Sequence, residues 1–360
     1  MTQAVSAEAP PAATPPELAP PRRRLAAFAP LVVLVVAVLL PYSTLPLPGL
    51  FDGALNKPGN LQILAVCLVF GGLAASYDLL FGRTGLLSFG HALYFAAGVY
   101  GTDVLVTHAG FPLWQAAVFA VVGSTILAAL LGAIALRTAG IAFAMVTLAF
   151  AQVGAILVAR DFGGLTGGEE GLPLASDGLP DFLLGVANTV NLYWLALAYL
   201  AVVVLVVSRV AASPTGRVLA GLRDDERRVG VLGLDPYRYK LVAFTLAGGL
   251  AALGGVVYLL VVGGASPHVT SSELTLSLLV MVVLGGPGTR WGPVLGGILY
   301  MYLDHRLTSL SADLPGPLGQ PLFVLGAIFI LAVYFFPGGL ASLRTRIAPL
   351  RAALKRSPTS

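Results

Sequence analysis

SRVAASPTGRVLAGLRDDERRVGVLGLDPYRYK, from Ser208 to Lys240, stands between two long apolar runs. Seven of its residues are Arg or Lys and four are Asp or Glu, in a chain whose charged residues total only 11%. A charged segment of this length between greasy runs reads as a loop joining two membrane spans. Short loops rich in Lys and Arg are retained on the cytoplasmic side, so the segment is expected to face the cytoplasm.

The composition outside this loop agrees. Hydrophobic residues make up 57% of the 360 positions, and the mean hydropathy is +0.88. Soluble domains carry roughly a quarter charged residues, so the chain reads as an all-α, polytopic integral membrane protein. One span takes about 20 apolar residues, which leaves room for roughly eight to ten. The net charge of +4 is spread in a way that suggests topology and gives no sign of nucleic-acid binding. The single cysteine, Cys67, lies in an apolar run, which excludes an intramolecular disulfide and a cysteine metal site.

Three regions follow. Residues 1–24 are rich in Pro and Ala, and are expected to be a disordered cytoplasmic N-terminus. Residues 25–340 form the transmembrane part, with 208–240 as its cytoplasmic loop. Residues 341–360 form a basic cytoplasmic tail carrying Arg344, Arg346, Arg351, Lys355 and Arg356. Arg22, Arg23 and Arg24 precede the run Leu25–Leu40 in the manner of a signal peptide, but prolines stand where a cleavage motif belongs, so a retained first span is expected.

Further apolar runs occupy Leu61–Phe81, Leu86–Thr107, Leu113–Leu136, Ile141–Ala159, Leu192–Val207, Leu241–Val262, Leu274–Leu284, Trp291–Leu303 and Leu318–Phe336. Alternating these from a cytoplasmic start puts the basic loops inside, with both termini cytoplasmic. The loop from Arg160 to Ala187, with its five acids, falls outside. The runs at Leu274 and Trp291 are short and divided by Gly285-Gly286-Pro287-Gly288, as half-helices are. Phe81-Gly82-Arg83-Thr84-Gly85 is a similar junction, a hint of an internal repeat.

The third run opens with Ser88, Gly90, His91 and Tyr94. Gly90, Ala97 and Gly101 make a small-residue stripe of the kind that lets helices approach closely. Two readings fit a membrane-embedded His91: a hydrogen bond to a neighbouring backbone carbonyl, or a place in a transport pathway. Neutral polar residues inside spans, among them Thr147 and Gln152, are the other pathway candidates. Asp78, Asp103 and Asp304 fall toward span ends, where water is expected to reach them. Metalloprotease, nucleophile-elbow and P-loop motifs are absent, so no catalytic residue, metal or cofactor is expected, and nucleotide binding falls to another subunit. A self-sufficient secondary transporter or channel is a competing class, opposed by the lack of mid-membrane charge; a membrane enzyme is a third.

Within the charged loop, Leu219, Leu222 and Val229 fall within about 80° of one another on a helix, which predicts a short amphipathic helix at the membrane surface. Pro214, Gly216, Arg217, Ala220, Arg223, Asp224, Glu226, Leu232, Gly233, Lys240, Leu241, Ala243 and Phe244 together resemble the cytoplasmic coupling segment of the LivM family, permease subunits of bacterial branched-chain amino acid ABC importers. TGLLSFGHALYFAAGVYG from Thr84, LTGGEEGL from Leu165, VVLGGPGTRWGPVLGG from Val282 and FFPGGL from Phe335 resemble the same family in the same order.

The resemblance implies an ABC importer permease fold in a bacterial inner membrane. It further implies two ATPase subunits that use ATP, a second homologous permease (a heterodimer), and a periplasmic binding protein that selects the substrate. Branched-chain or other amino acids are the implied cargo, with urea or short amides as the alternative. Contact with the ATPase would fall to Gly216, Arg217, Leu219, Ala220, Leu222, Arg223, Asp224, Glu226, Val229, Leu232 and Gly233. Ser88, Gly90, His91, Tyr94, Thr147 and Gln152, with Thr166, Gly167 and Gly168 of the outer motif, would serve the pathway or its packing.

Overall fold

The computed structural model describes residues 37–43, 53–161, 163–175, 180–183, 188–310, 320–335 and 338–340. The chain divides into Met1–Leu40 and Pro41–Ser360. In the first unit only residues 37–40 are described, in helical conformation, so the expected first span lies almost wholly outside the described residues, as does the basic tail.

In the second unit the helices are α1 (Pro58–Thr84), α2 (His91–Thr107), α3 (Leu113–Ala135), α4 (Ile141–Ala159), α5 (Thr189–Ala212), α6 (Pro214–Asp224), α7 (Glu226–Val231), α8 (Pro236–Val262), α9 (Ser272–Gly285), α10 (Gly292–Leu310) and α11 (Pro321–Phe335). Five of these, α1, α3, α4, α5 and α8, are long and apolar enough to cross a membrane. The 17 residues of α2 rise about 26 Å and the 14 of α9 about 21 Å, so α9 falls well short of a bilayer core of about 30 Å. α10 continues past the apolar run through Asp304, His305 and Arg306.

Two helices form the centre. α1 packs against α5, α8, α9 and α10, and α8 packs against α1, α2, α3 and α5. Both are apolar on every side and largely buried, as helices surrounded by other helices must be. α3 shows how a peripheral helix chooses its orientation when lipid is as apolar as the core. Ala116, Ala120, Ser124, Ala128 and Gly132 recur every four residues and are buried. Trp114, Val118, Val122, Ile126, Leu130 and Ile134 recur with the same period on the opposite side and are exposed. Hydrophobicity does not separate these faces; size does. Small residues let the backbone of α3 approach α2 and α8 closely, and the bulky ones are left to lipid.

A close backbone crossing joins α2 to α8. A Cβ added to Gly98 would overlap the backbone of Ala252, and one added to Gly255 would overlap the backbone of Phe95 and Val99. Gly98, one residue away from the stripe read from the sequence, is therefore the decisive contact. Gly101 meets only the Ala120 methyl, and Gly90 precedes the helix. The strand content among the described residues is a two-residue antiparallel pair, β1 (Leu172–Pro173) with β2 (Gly264–Ala265), which fastens the loop after α4 to the end of α8.

Candidate functional site

The apolar run expected to be helical from Leu86 is not helical until His91. The α1 helix ends at Gly85, which takes a left-handed conformation, and residues 86–90 form an irregular segment buried among helices. Irregular backbone buried among helices is tolerated only where its polar groups find partners. Here they do. The Tyr77 hydroxyl donates to the Ser88 carbonyl at 3.0 Å. The Phe89 amide donates to Thr147 Oγ1 of α4 at 3.0 Å. The Ala92 amide, an orphan donor in the first turn of α2, donates to Thr275 Oγ1 of α9 at 3.2 Å. Three helices thus converge on one chain break.

His91 opens α2 and is fully buried. Its Nε2 lies 2.9 Å from Ser76 Oγ, so its partner is a side-chain hydroxyl of α1 and not the backbone carbonyl considered from the sequence. The Ser76 hydroxyl donates its proton to the Leu73 carbonyl at 2.7 Å. That assigns Nε2 as the donor to Ser76 and leaves Nδ1 as a bare acceptor, without a partner among the described residues. The ring sits edge-on to Tyr77, with centroids 5.3 Å apart.

Ser88, Gly90, His91 and Thr147 are therefore brought together around the break. Tyr94 lies one turn further along, packed edge-on against Phe244, and its carbonyl accepts from Ser124. Gln152 is set apart, donating to Ser272 at 2.6 Å. Ser76, Tyr77 and Thr275 complete the cluster; they were missed because each sits in an otherwise unremarkable apolar run.

Thr166, Gly167 and Gly168 belong to a separate site in the loop after α4. Asp161 takes φ 45° and folds this loop over its own carboxylate. Oδ1 accepts from the Thr166 amide at 2.8 Å, the Thr166 hydroxyl at 3.0 Å and the Gly167 amide at 3.1 Å. These bonds, the Thr166 amide foremost, hold the carboxyl below the usual carboxylate range. Gly167 has φ 70°, and a Cβ there would overlap the Gly171 carbonyl. Glu169 and Glu170 stand exposed at the tip.

The charged loop folds as two helices meeting at Asp225, where a single helix was expected from the sequence. Ser213 caps α6, accepting from the Gly216 amide at 3.2 Å, with Pro214 in the first turn. A Cβ on Gly216 would overlap the carbonyls of Val210 and Ala211, so this glycine permits the corner between α5 and α6. Asp225 is extended and caps α7 by accepting from the amides of Arg227 and Arg228. Gly233, at φ 81°, lies just beyond the end of α7.

Leu219, Leu222 and Val229 do share one side, but they are buried in this chain, so they face inward and offer a partner no apolar anchor. Arg223 donates through Nη1 to the Gly82 carbonyl. Glu226 pairs with Lys240 of α8 at 2.6 Å. Arg217, Ala220, Asp224, Arg227 and Arg228 are exposed, as are Val231 and Leu232, the latter two 88% and 77% exposed. Arg223, Glu226, Lys240 and Leu222 border a small open cleft, lined on the other side by Thr84, Leu86, Thr138 and Phe143.

Two aspartates expected to reach water do not. Asp78 is 1% exposed, lies 3.5 Å from Arg83, and accepts from the Gly288 amide at 2.7 Å. Asp103 is buried, accepting from Thr107 at 3.0 Å. Their positions near span ends are as read, but the packing of α1 and α2 among neighbours closes water out. A buried carboxylate needs such partners, since desolvation of an isolated one is prohibitive.

A bundle of apolar helices with size-sorted faces, and a partnered chain break beside a charged helical pair, defines a polytopic membrane protein of the permease class. The chain belongs to the family described as branched-chain amino acid transport system / permease component, whose sequence model matches residues 60–333. It is 26% identical over 332 residues to the high-affinity branched-chain amino acid transport system permease protein LivM of Salmonella typhimurium (strain LT2), covering 86% of this chain and 73% of that one. It is 27% identical over 304 residues to LivM of Escherichia coli (strain K12), covering 78% and 70%. The autoinducer 2 import system permease protein LsrC of Yersinia enterocolitica is 30% identical over 182 residues, covering 49% of this chain and 48% of LsrC.

Proposed function

We propose that this permease forms the membrane path of an ATP-driven importer of branched-chain amino acids, in a bacterial inner membrane, with both termini in the cytoplasm. Hydrolysis of ATP belongs to two partner ATPase subunits. A second, homologous permease completes the path as a heterodimer, and a periplasmic binding protein delivers the substrate. The observation that carries this reading is the α6–α7 pair. Its apolar side is seated on the bundle, while Asp224, Arg227, Arg228, Val231 and Leu232 are left outward for a soluble partner. The break at residues 86–90, lined by Ser88, His91 and Thr147, is the part of the bundle best suited to border the path, because irregular backbone and neutral polar side chains meet there.

The partial likeness to an autoinducer 2 permease favours a second reading in which only the cargo differs; urea or short amides are the alternative cargo that the family resemblance implies. The test is copurification in mild detergent followed by uptake into proteoliposomes. Stoichiometric ATPase and a second permease, with ATP-dependent uptake of labelled leucine in the presence of the binding protein, are expected. Uptake by this chain alone would refute the importer assignment. ATP-driven uptake of another solute, with leucine excluded, would refute the cargo.

A further inference from the structure

The two glycine-punctuated junctions, about 200 residues apart in sequence, meet in space beside α6. Asp78, one turn before the first junction, accepts from the Gly288 amide of the second at 2.7 Å. A Cβ on Gly82 would overlap both the Asp78 carboxylate and the Gly288 amide, and one on Gly288 would lie 2.7 Å from Arg223 Nη1 and 2.8 Å from the Gly82 carbonyl. Gly288 has φ 76°, which turns its amide toward α1. Arg223 closes the group from the cytoplasmic side by donating to the Gly82 carbonyl, which Gly85 at the end of α1 leaves accessible.

Resting on the importer reading above, we propose that Arg223 and Asp78 form a rigid joint. Arg223 fastens α6 to the end of α1, and Asp78 fastens α1 to the turn between α9 and α10. A displacement of α6 by the ATPase is thereby passed undivided to three membrane helices. Both are positioning residues, since neither needs to touch the substrate or ATP. The placement suits such a role. The acceptor carbonyl lies at a helix end, where it has no partner within the helix. The buried Asp78 carboxylate has Arg83 of its own helix 3.5 Å away and the Gly288 amide on its other side.

The assay uses the full complex in proteoliposomes with its binding protein, and reads substrate taken up per ATP hydrolysed. Arg223→Ala should still copurify with the ATPase, while uptake per ATP falls at least tenfold; Asp78→Ala should show the same signature. A second variant replaces the hydrogen bond by a covalent one. A Cβ on Gly85 would lie 3.6 Å from Arg223 Cβ, within the range that a disulfide spans. Gly85→Cys with Arg223→Cys, on a Cys67→Ala background, should behave as Arg223→Ala when reduced and regain at least half of the ratio of a Gly85→Cys single variant, which carries the strain of a side chain at φ 76°, when oxidised. Loss of the ATPase from Arg223→Ala would make Arg223 a partner contact and overturn the joint. So would an unchanged ratio, or oxidation that leaves the double variant uncoupled. If the wild-type complex itself shows no ATP-driven uptake, the importer reading fails instead, which is a different outcome from a coupled wild type with coupled variants.

Discussion

Replacing Gly98 by alanine adds one methyl group, yet the structure makes it among the most damaging changes available in α2. The new Cβ would stand 2.8 Å from both the carbonyl carbon and Cα of Ala252, and closer still to the carbonyl oxygen. Favourable carbon–carbon separations are about 3.5–4.0 Å, so α2 and α8 must part locally by roughly 1 Å. The obstacle is helix backbone, which has no rotamer to turn away. Overpacking typically costs about 1–3 kcal/mol, and the immovable neighbour puts this site at the upper end. Gly101→Ala is the internal control. Its Cβ meets the Ala120 methyl at 3.3 Å, which a shift of a few tenths of an ångström relieves. Gly59→Ala, with open space around it, is a second control. Thermal unfolding in detergent, followed by size-exclusion chromatography, should rank Gly98→Ala well below Gly101→Ala and leave Gly59→Ala at wild type. A Gly98→Ala protein as stable as wild type would refute the claim that backbone proximity sets this crossing.

Three further outcomes are expected. Leu222→Asp puts a charge into a site only 5% exposed and should cost a few kcal/mol of stability, whereas Leu232→Asp, at a site 77% exposed, should leave stability unchanged and weaken ATPase pull-down. The Asp161 carboxyl titrates below its unfolded value of about 3.9, so its hold on the outer loop is complete above that pH and is lost as pH falls through the folded value. Protection of the Thr166 and Gly167 amides, relative to their intrinsic exchange rates, should accordingly fall as pH drops through the folded value, and Asp161→Asn, which keeps an acceptor oxygen, should flatten that dependence. Replacing the exposed Glu169 and Glu170 by glutamine should slow association of the binding protein at low ionic strength and have less effect at high salt; an unaltered salt dependence would exclude the acidic tip from docking.

What could be read from the sequence was what local periodicity and composition encode. Leu219, Leu222 and Val229 share a helical face in the sequence and share a buried side in the structure. The direction of that face was not legible, because an apolar stripe looks the same whether it meets its own bundle or a partner. The similarity of the Gly82 and Gly288 junctions was visible, but their meeting was not. The bonds that unite them span 141 residues from Arg223 to Gly82 and 210 from Gly288 to Asp78, and no periodicity reaches that far. The late start of α2 also escaped a reading by hydropathy. Residues 86–90 are as apolar as a helix, and what unwinds them is the set of hydrogen bonds offered by Tyr77 and Thr147. In the same way hydropathy ranked Asp78 by its place along a span, while burial depends on which helices surround it.

The Thr275 cap on the Ala92 amide also has a consequence for biogenesis. Donor and acceptor lie 183 residues apart, and the acceptor is made last. At about 5–20 residues per second, the amide waits roughly 10–40 s for its hydroxyl while the intervening helices are synthesised. For that interval the Ala92 amide lacks its side-chain partner, although His91 beside it already has Ser76. The nascent chain must therefore keep this end near water or in the insertion machinery, and α2 takes its final seat only once α9 has arrived.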